Sequence, residues 1–237
     1  MSAVYQPLDP SKRQIRLLRL PLNLPRIDNK SADLQGYDFD VTLEKISLDD
    51  RCNYNALSYV WGSPSVGCNI RLSGCHVTVT PNLKEALIRQ TQLAQESRVP
   101  DLLWVDAICI NQDDVEEKTS QLSLMKDIYA QAHATSVSLS PASRHSLKAF
   151  EAISRLSQLS LDNSFHSISE IDVANSNRRH NHKVNLIASL STDFDESSDI
   201  PLQALLEFIR NPWWRRVWTL QEASLARETI IMSCGRM

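Results

Sequence analysis

The sequence predicts an α/β fold: one domain over residues 1–237, with a central, mostly parallel sheet flanked by helices and additional N-terminal β strands before it. Three observations predict it. The first is the run from Leu102 to Ile110, the longest apolar stretch, rich in β-branched and aromatic residues and bounded by Pro100-Asp101 and Asn111-Gln112. Such a run reads as a strand buried on both faces, and strands of that kind belong in parallel sheets covered by helices. The second is the segment behind it, where Asp113, Asp114, Glu116 and Glu117 precede apolar positions Leu122, Met125, Ile128, Tyr129 and Ala132 at helical spacing. Strand, polar loop and acid-started helix make half of a βαβ unit. The third is at the start, where Ile15, Leu17, Leu18 and Leu20, then alternating Tyr37, Phe39, Val41 and Leu43, read as two strands joined by a loop containing Pro21 and Pro25.

The remaining elements follow in order. Tyr54 to Trp61 is a third apolar stretch that runs into Gly62-Ser63-Pro64-Ser65-Val66-Gly67, a loop of turn residues. Ile70 and Leu72, then Val77 and Val79, bracket Ser73-Gly74 as a hairpin. Thr80-Pro81 supplies a helix cap with proline at the first helical position, and Leu83, Ala86, Leu87, Leu93 and Ala94 carry the stripe as far as Pro100. Thr135 to Leu139 is a further strand. Residues 143–200 turn rich in Ser and Asn and read as a variable, partly mobile insertion with one helix near Leu147 to Leu161. Leu202 to Ile209 is a short helix, Trp213 to Ala226 a final one, and Thr229 to Ser233 the last strand.

Composition narrows the function classes. With 237 residues, 42% of them hydrophobic, the chain can bury a real core, which rules out disorder throughout. A formal net charge of -3 leaves no basic footprint, so nucleic acid is not an expected partner. No apolar run approaches a membrane span, and Pro7, Asp9 and Pro10 stand where a signal peptide needs its apolar core. A soluble, cytoplasmic protein is expected. Cys52, Cys68, Cys75, Cys109 and Cys234, odd in number and irregularly spaced, fit reduced thiols better than a disulfide framework. Neither Cys68, Cys75 and His76 nor His145, His166, His180 and His182 have metal-ligand spacing, so no metal is expected.

The candidate chemistry lies where strands end. In open α/β sheets ligands gather outside the carboxyl ends of strands, which singles out Ser58, Tyr59, Trp61 and Gly62 after one strand and Asn111 and Gln112 after another. Binding residues and plain turn residues both fit there, and Asn111 and Gln112 also fit caps of the next helix. Asp106, a carboxylate inside an apolar run, fits either a hydrogen-bonded support of the loop or a site acid. Trp218 and Glu222, four apart, lie one turn from each other if helical, with Val217, Leu220 and Ser224 turned toward the core. A flat aromatic face beside a carboxylate suits cleavage of a ribosyl bond, which needs a surface for the leaving base and a negative charge at an oxocarbenium-like centre. Packing of Trp218 and pairing of Glu222 with Arg215, Arg216 or Arg227 fits the same residues.

Three ordered blocks resemble one family. They are Tyr54-Asn55-Ala56-Leu57-Ser58-Tyr59-Val60-Trp61-Gly62, then Leu103 to Gln112, then Arg216-Val217-Trp218-Thr219-Leu220-Gln221-Glu222. They resemble the fungal heterokaryon-incompatibility (HET) domain, and the likeness extends to Tyr5-Gln6-Pro7-Leu8 and to Gln121, Met125, Ile128 and Tyr129. The resemblance implies an effector of fungal self/non-self recognition and programmed cell death, with an incompatibility partner protein and self-association. Ser138-Leu139-Ser140-Pro141 departs from the family's Trp-Leu-Gly strand end, which puts one pocket wall in doubt. A more distant resemblance is to the Toll/interleukin-1-receptor (TIR) fold, which is flavodoxin-like and includes NAD-cleaving enzymes. Leu57-Ser58-Tyr59, Asp113-Asp114 and Trp218 to Glu222 carry it. This second likeness implies NAD as a substrate, no bound cofactor, Glu222 as catalytic carboxylate, and Ser58, Tyr59, Trp61, Gly62, Asp106, Asn111, Gln112 and Trp218 around the nucleotide. A non-enzymatic signalling or oligomerisation module is the alternative.

The composition shift at residues 143–200 makes a prediction about the whole chain: limited proteolysis is expected to cut there first. First cuts between Leu83 and Tyr129 would overturn the domain map.

Overall fold

A computed structural model of the chain describes residues 4–23, 39–63, 65–139, 148–153, 200–225 and 229–233. The chain divides into two compact units, Met1–Pro141 with Arg216–Arg236, and Ala142–Arg215. The first is built on a sheet of β1 (Gln14–Arg19), β2 (Asp40–Ser47), β3 (Asn55–Tyr59), β4 (Cys68–Leu72), β5 (Cys75–Val79), β6 (Leu102–Trp104), β7 (Ala134–Ser138) and β8 (Thr229–Ser233). Their order is β5-β4-β2-β1-β6-β3-β7-β8.

The α/β class holds, but the sheet is mixed rather than mostly parallel. Strands β6, β3, β7 and β8 run parallel, while β1 is antiparallel to both β2 and β6, and β4 is antiparallel to β5. Connection length explains part of this. Ser73 and Gly74 both take positive φ, 50° and 82°, a two-residue turn that joins only antiparallel neighbours. In the parallel half the strands stand second, first, third and fourth in chain order, as in doubly wound sheets, which opens a crevice outside the carboxyl ends at the point of reversal.

The helices begin where their caps dictate. In α1 (Pro81–Gln95) the Thr80 hydroxyl accepts the Leu83 N–H at 3.3 Å, and the helix packs on β3 and β4. In α3 (Val115–Gln131) the Asp114 carboxylate accepts the Glu117 N–H at 2.9 Å. Tyr54 Oη donates to the Ile128 carbonyl at 2.7 Å and Tyr129 Oη to the Leu57 carbonyl at 3.0 Å, locking α3 to β3. Met125, Ile128 and Tyr129 are buried, but Leu122, expected in the same core stripe, is 44% exposed.

Two expectations are corrected locally. The Leu102–Ile110 run is not one strand: β6 stops at Trp104 and a helical turn, α2 (Asp106–Cys109), follows. Asp106 Oδ1 accepts the Ala107 N–H at 2.7 Å and the Cys109 N–H turns back to the Val105 carbonyl at 2.8 Å, so these donors are lost to a strand ladder. Ile108, Cys109 and Ile110 are buried all the same, and burial alone cannot distinguish a strand from an inward helical turn. The expected helix from Trp213 to Ala226 is likewise two pieces, a 3-10 turn at Pro212–Arg215 and α5 (Thr219–Ser224). Between them the Thr219 side chain and N–H both return to the Arg216 carbonyl, restarting the helix. Val217, expected to face the core, is 84% exposed. Ser224 is exposed too, and the Leu220 side chain lies outside the described residues.

In the second unit the description covers helical residues 148–153, α4 (Ile200–Ile209) and the 3-10 turn. Phe208 meets Phe150 and Trp214 edge to face, with centroids 5.8 and 5.4 Å apart. Most of the expected insertion 143–200, with His145, His166, His180 and His182, lies outside the described residues, as do Tyr37 and Cys234. Among the described residues no helix is long and apolar enough to cross a membrane.

One buried ion pair ties the first unit together. Arg16 on β1, with its side chain 3% exposed, gives Glu117 on α3 two hydrogen bonds, at 2.6 and 2.8 Å. Arg16 also donates to the carbonyls of Cys109 at 3.1 Å and Gln6 at 2.6 Å, and lies 5.0 Å from the Tyr5 ring centroid. Removing one partner strands the other charge in a dry interior. Arg16→Met is therefore expected to cost about 3 to 5 kcal/mol, and Arg16→Met with Glu117→Leu to cost less than the sum of the single changes. Urea unfolding of the three variants as a double-mutant cycle checks this.

Candidate functional site

A cavity of about 570 Å³ opens at the carboxyl ends of the parallel neighbours β3 and β6. Residues from four places line it: Val60, Trp61 and Gly62 after β3; Asp106, Ile110 and Gln112 around α2; Lys118, Leu122 and Met125 on α3; Arg216, Trp218 and Glu222 at α5. The turn after β3 depends on glycine. Gly62 has φ +79°, and a Cβ there would lie 2.8 Å from Asn82 Nδ2, the atom that donates to the Val60 carbonyl at 3.0 Å.

Glu222 forms the inner wall, its residue only 2% exposed. Ser58 Oγ donates to Glu222 Oε2, and Arg216 Nη2 lies 3.5 Å from Glu222 Oε1. The other arm of Arg216 donates to the Tyr59 carbonyl, while Thr135 Oγ1 on β7 donates to the Glu222 carbonyl at 2.9 Å. Thus α5, only six residues long, is positioned by β3 and β7 through polar contacts. Asp106, partly buried, accepts the Trp61 indole N–H at 3.1 Å and the Ala107 N–H at 2.7 Å. Burial pushes the Glu222 carboxyl above its ordinary range against the Ser58 hydroxyl and Arg216, and the Asp106 charge adds to the rise. Burial likewise raises Asp106, opposed by the Trp61 and Ala107 donors and by Arg216. The site therefore holds two carboxyl groups that ionise reluctantly, one guanidinium beside Glu222, and two indoles, Trp61 and Trp218, that are 43% and 51% exposed.

Of the residues singled out from the sequence, Trp61, Gly62, Asp106, Gln112, Trp218 and Glu222 come together on the cavity. Ser58 and Tyr59 are buried behind it, Ser58 touching Glu222 through its hydroxyl and Tyr59 holding Arg216 through its carbonyl. Asn111 faces the scaffold: its N–H goes to Glu117 Oε1 at 2.7 Å and its Oδ1 accepts the Asp113 N–H at 3.3 Å. Gln112 Nε2 donates to the Asp106 carbonyl at 2.9 Å, so the link between Asp106 and this loop runs through the backbone, not the carboxylate. Trp218 sits in the turn before α5, and Glu222 is linked to it by a backbone bond of 2.9 Å. Arg216 entered the sequence reading as an ion-pair partner and as the first residue of the third family block, not as a site residue, and Lys118 not at all. A lysine beside Glu116 and Glu117 carries no signal, because only the fold turns it toward the cavity. Among the described residues no group of three or more His, Cys, Asp or Glu could hold a metal ion.

Comparison with known proteins gives two matches. The family described as "Heterokaryon incompatibility protein (HET)" matches residues 54–222. "Heterokaryon incompatibility protein 6, OR allele" of Neurospora crassa is 30% identical over 196 residues, covering 77% of this chain and 29% of that protein. The chain thus spans less than a third of the length of this relative. No solved structure matches.

The raised carboxyls set a pH dependence. Asp106 and Glu222 bind protons more tightly folded than unfolded, so the stability they contribute is full below about pH 4, the ordinary carboxyl range, and is lost as pH rises through the raised values. Glu222→Gln is expected to flatten that fall, which urea midpoints measured from about pH 4 to about pH 8 would read. A variant profile parallel to that of the parent would mean that Glu222 titrates as an ordinary acid.

Proposed function

The chain belongs to the heterokaryon incompatibility (HET) family, and on that premise we propose that it is an effector of fungal self/non-self recognition that triggers cell death through NAD glycohydrolase-type cleavage. The observation that carries this reading is the placement of Glu222 and Asp106 with Trp61 and Trp218 on one cavity at the carboxyl ends of parallel strands. The TIR-like order of the sequence blocks points the same way.

In this reaction the bond between ribose C1′ and the pyridinium nitrogen breaks. Nicotinamide leaves with the bonding pair and becomes neutral, C1′ passes through an oxocarbenium-like state, and water adds hydroxide there and releases one proton. Ionised Glu222, oriented by Ser58 and Arg216, stabilises the developing positive charge, and an exposed indole supports the leaving base. Asp106 holds Trp61 through its indole N–H. A carboxyl raised by burial makes the rate climb with pH until Glu222 is ionised, so the acid limb lies above the ordinary carboxyl range.

A second reading, a signalling module that self-associates, is favoured by a different observation. Val217 and Trp218, adjacent in sequence, are 84% and 51% exposed, an apolar pair suited to a partner surface. The two readings part on one protein. If the enzyme reading holds, purified chain releases nicotinamide from NAD and Glu222→Gln lowers turnover by about a hundredfold or more, with melting temperature retained. A wild type that releases none, or a Glu222→Gln protein that still cleaves while toxicity in a fungal host depends on Val217 and Trp218, would establish the module instead.

A further inference from the structure

We propose that Lys118 is the residue that reads the phosphate of a nucleotide in this cavity, an assignment that rests on the nucleotide reading above. Among the described residues four charged side chains line the cavity: Asp106, Glu222, Arg216 and Lys118. Three are already engaged. Asp106 holds the Trp61 indole and the Ala107 N–H, Glu222 holds Ser58, and Arg216 is divided between Glu222 and the Tyr59 carbonyl. Lys118 is exposed and enters none of the ion pairs described.

None of the acids around Lys118 is ion-paired with it among the described residues. Glu117, the preceding residue, is drawn inward to Arg16 and to the Asn111 N–H. Asp114, one turn back, caps α3 through the Glu117 N–H. Glu116 is two residues away, on a different side of the helix. The same network that hides Glu117 fixes the backbone of α3 from which Lys118 projects.

The face of α3 that carries Lys118 then specifies the ligand class. Lys118, Leu122 and Met125 are spaced i, i+4 and i+7, so one helical face presents a cation followed by apolar surface. Leu122 is 44% exposed, and the other large exposed apolar groups on the cavity are Trp61 and Trp218. An inorganic anion would leave that surface unused, and a neutral apolar ligand would leave the cation unused. A nucleotide uses both: its base covers apolar surface and its phosphate meets a lysine, a compact point charge suited to phosphate.

Calorimetric titration of the full chain with ADP-ribose and with adenosine tests the assignment. Lys118→Gln is expected to weaken ADP-ribose binding about tenfold or more, Lys118→Glu further, and Lys118→Arg to restore it, with adenosine affinity and melting temperature the same in all four proteins. ADP-ribose affinity unchanged in Lys118→Glu, an equal loss for adenosine, or a wild type that does not bind ADP-ribose would each overturn it. A wild type that binds ADP-ribose through Lys118 yet releases no nicotinamide from NAD sustains the assignment and overturns the cleavage reading. Nicotinamide release with KM unchanged in Lys118→Glu does the reverse.

Discussion

The contact between Arg16 and Glu117 is the constraint on which the cavity end of the sheet depends. Arg16 stands on β1, beside β6 in the sheet, and its guanidinium reaches over to α3. Glu117 Oε1 accepts both from Arg16 and from the Asn111 N–H, so a single carboxylate oxygen joins a strand, a helix and the loop between α2 and α3. That loop delivers Ile110 and Gln112 to the cavity. The pair does not need to add net stability to be decisive. Its charges tolerate burial only in this geometry, so alternative placements of α3 leave a charge unpaired in the interior and are penalised by several kcal/mol.

Charge pairing of the same kind recurs inside the cavity, with a different result. Glu222 and Asp106 each keep a hydrogen-bond donor, and Arg216 faces Glu222, yet burial still holds both carboxyls above their ordinary range. A solvated acid would simply ionise. Here the partners offset part of the desolvation cost, and the remainder is expressed as a tighter hold of both carboxyls on their protons. Polar contacts also do the positioning. The short α5 is held through Ser58 on β3 and Thr135 on β7, so the strand whose sequence looked most like a binding element supports the site from behind.

Local chemistry explains what could be read directly. Thr80-Pro81, Ser73-Gly74 and the alternation along the second strand each encode an element within a few residues, and over the described residues these elements form. The three blocks that resemble the HET family are where the family match lies, and six of the nine residues picked from them line one cavity. The misreadings share a cause. Six of the nine residues from Leu102 to Ile110 are buried and the other three half-buried, and hydrophobicity reports burial, not backbone conformation. Val217 and Leu122 look like core residues because an apolar side chain carries no mark of which neighbour will be missing.

By itself, then, the sequence determined the α/β class, the capped helices, the family and the strand ends that would carry polar side chains, because each of these depends on residues close in the chain. Tertiary structure alone decided the mixed sheet, since the antiparallel joining of β1 to β6 brings together residues such as Leu18 and Leu103. It also decided that Arg16 would take Glu117 inward and leave Lys118 facing the cavity. The choice between two adjacent, oppositely charged side chains rests on a cation about a hundred residues away, and no local pattern can encode a partner at that separation.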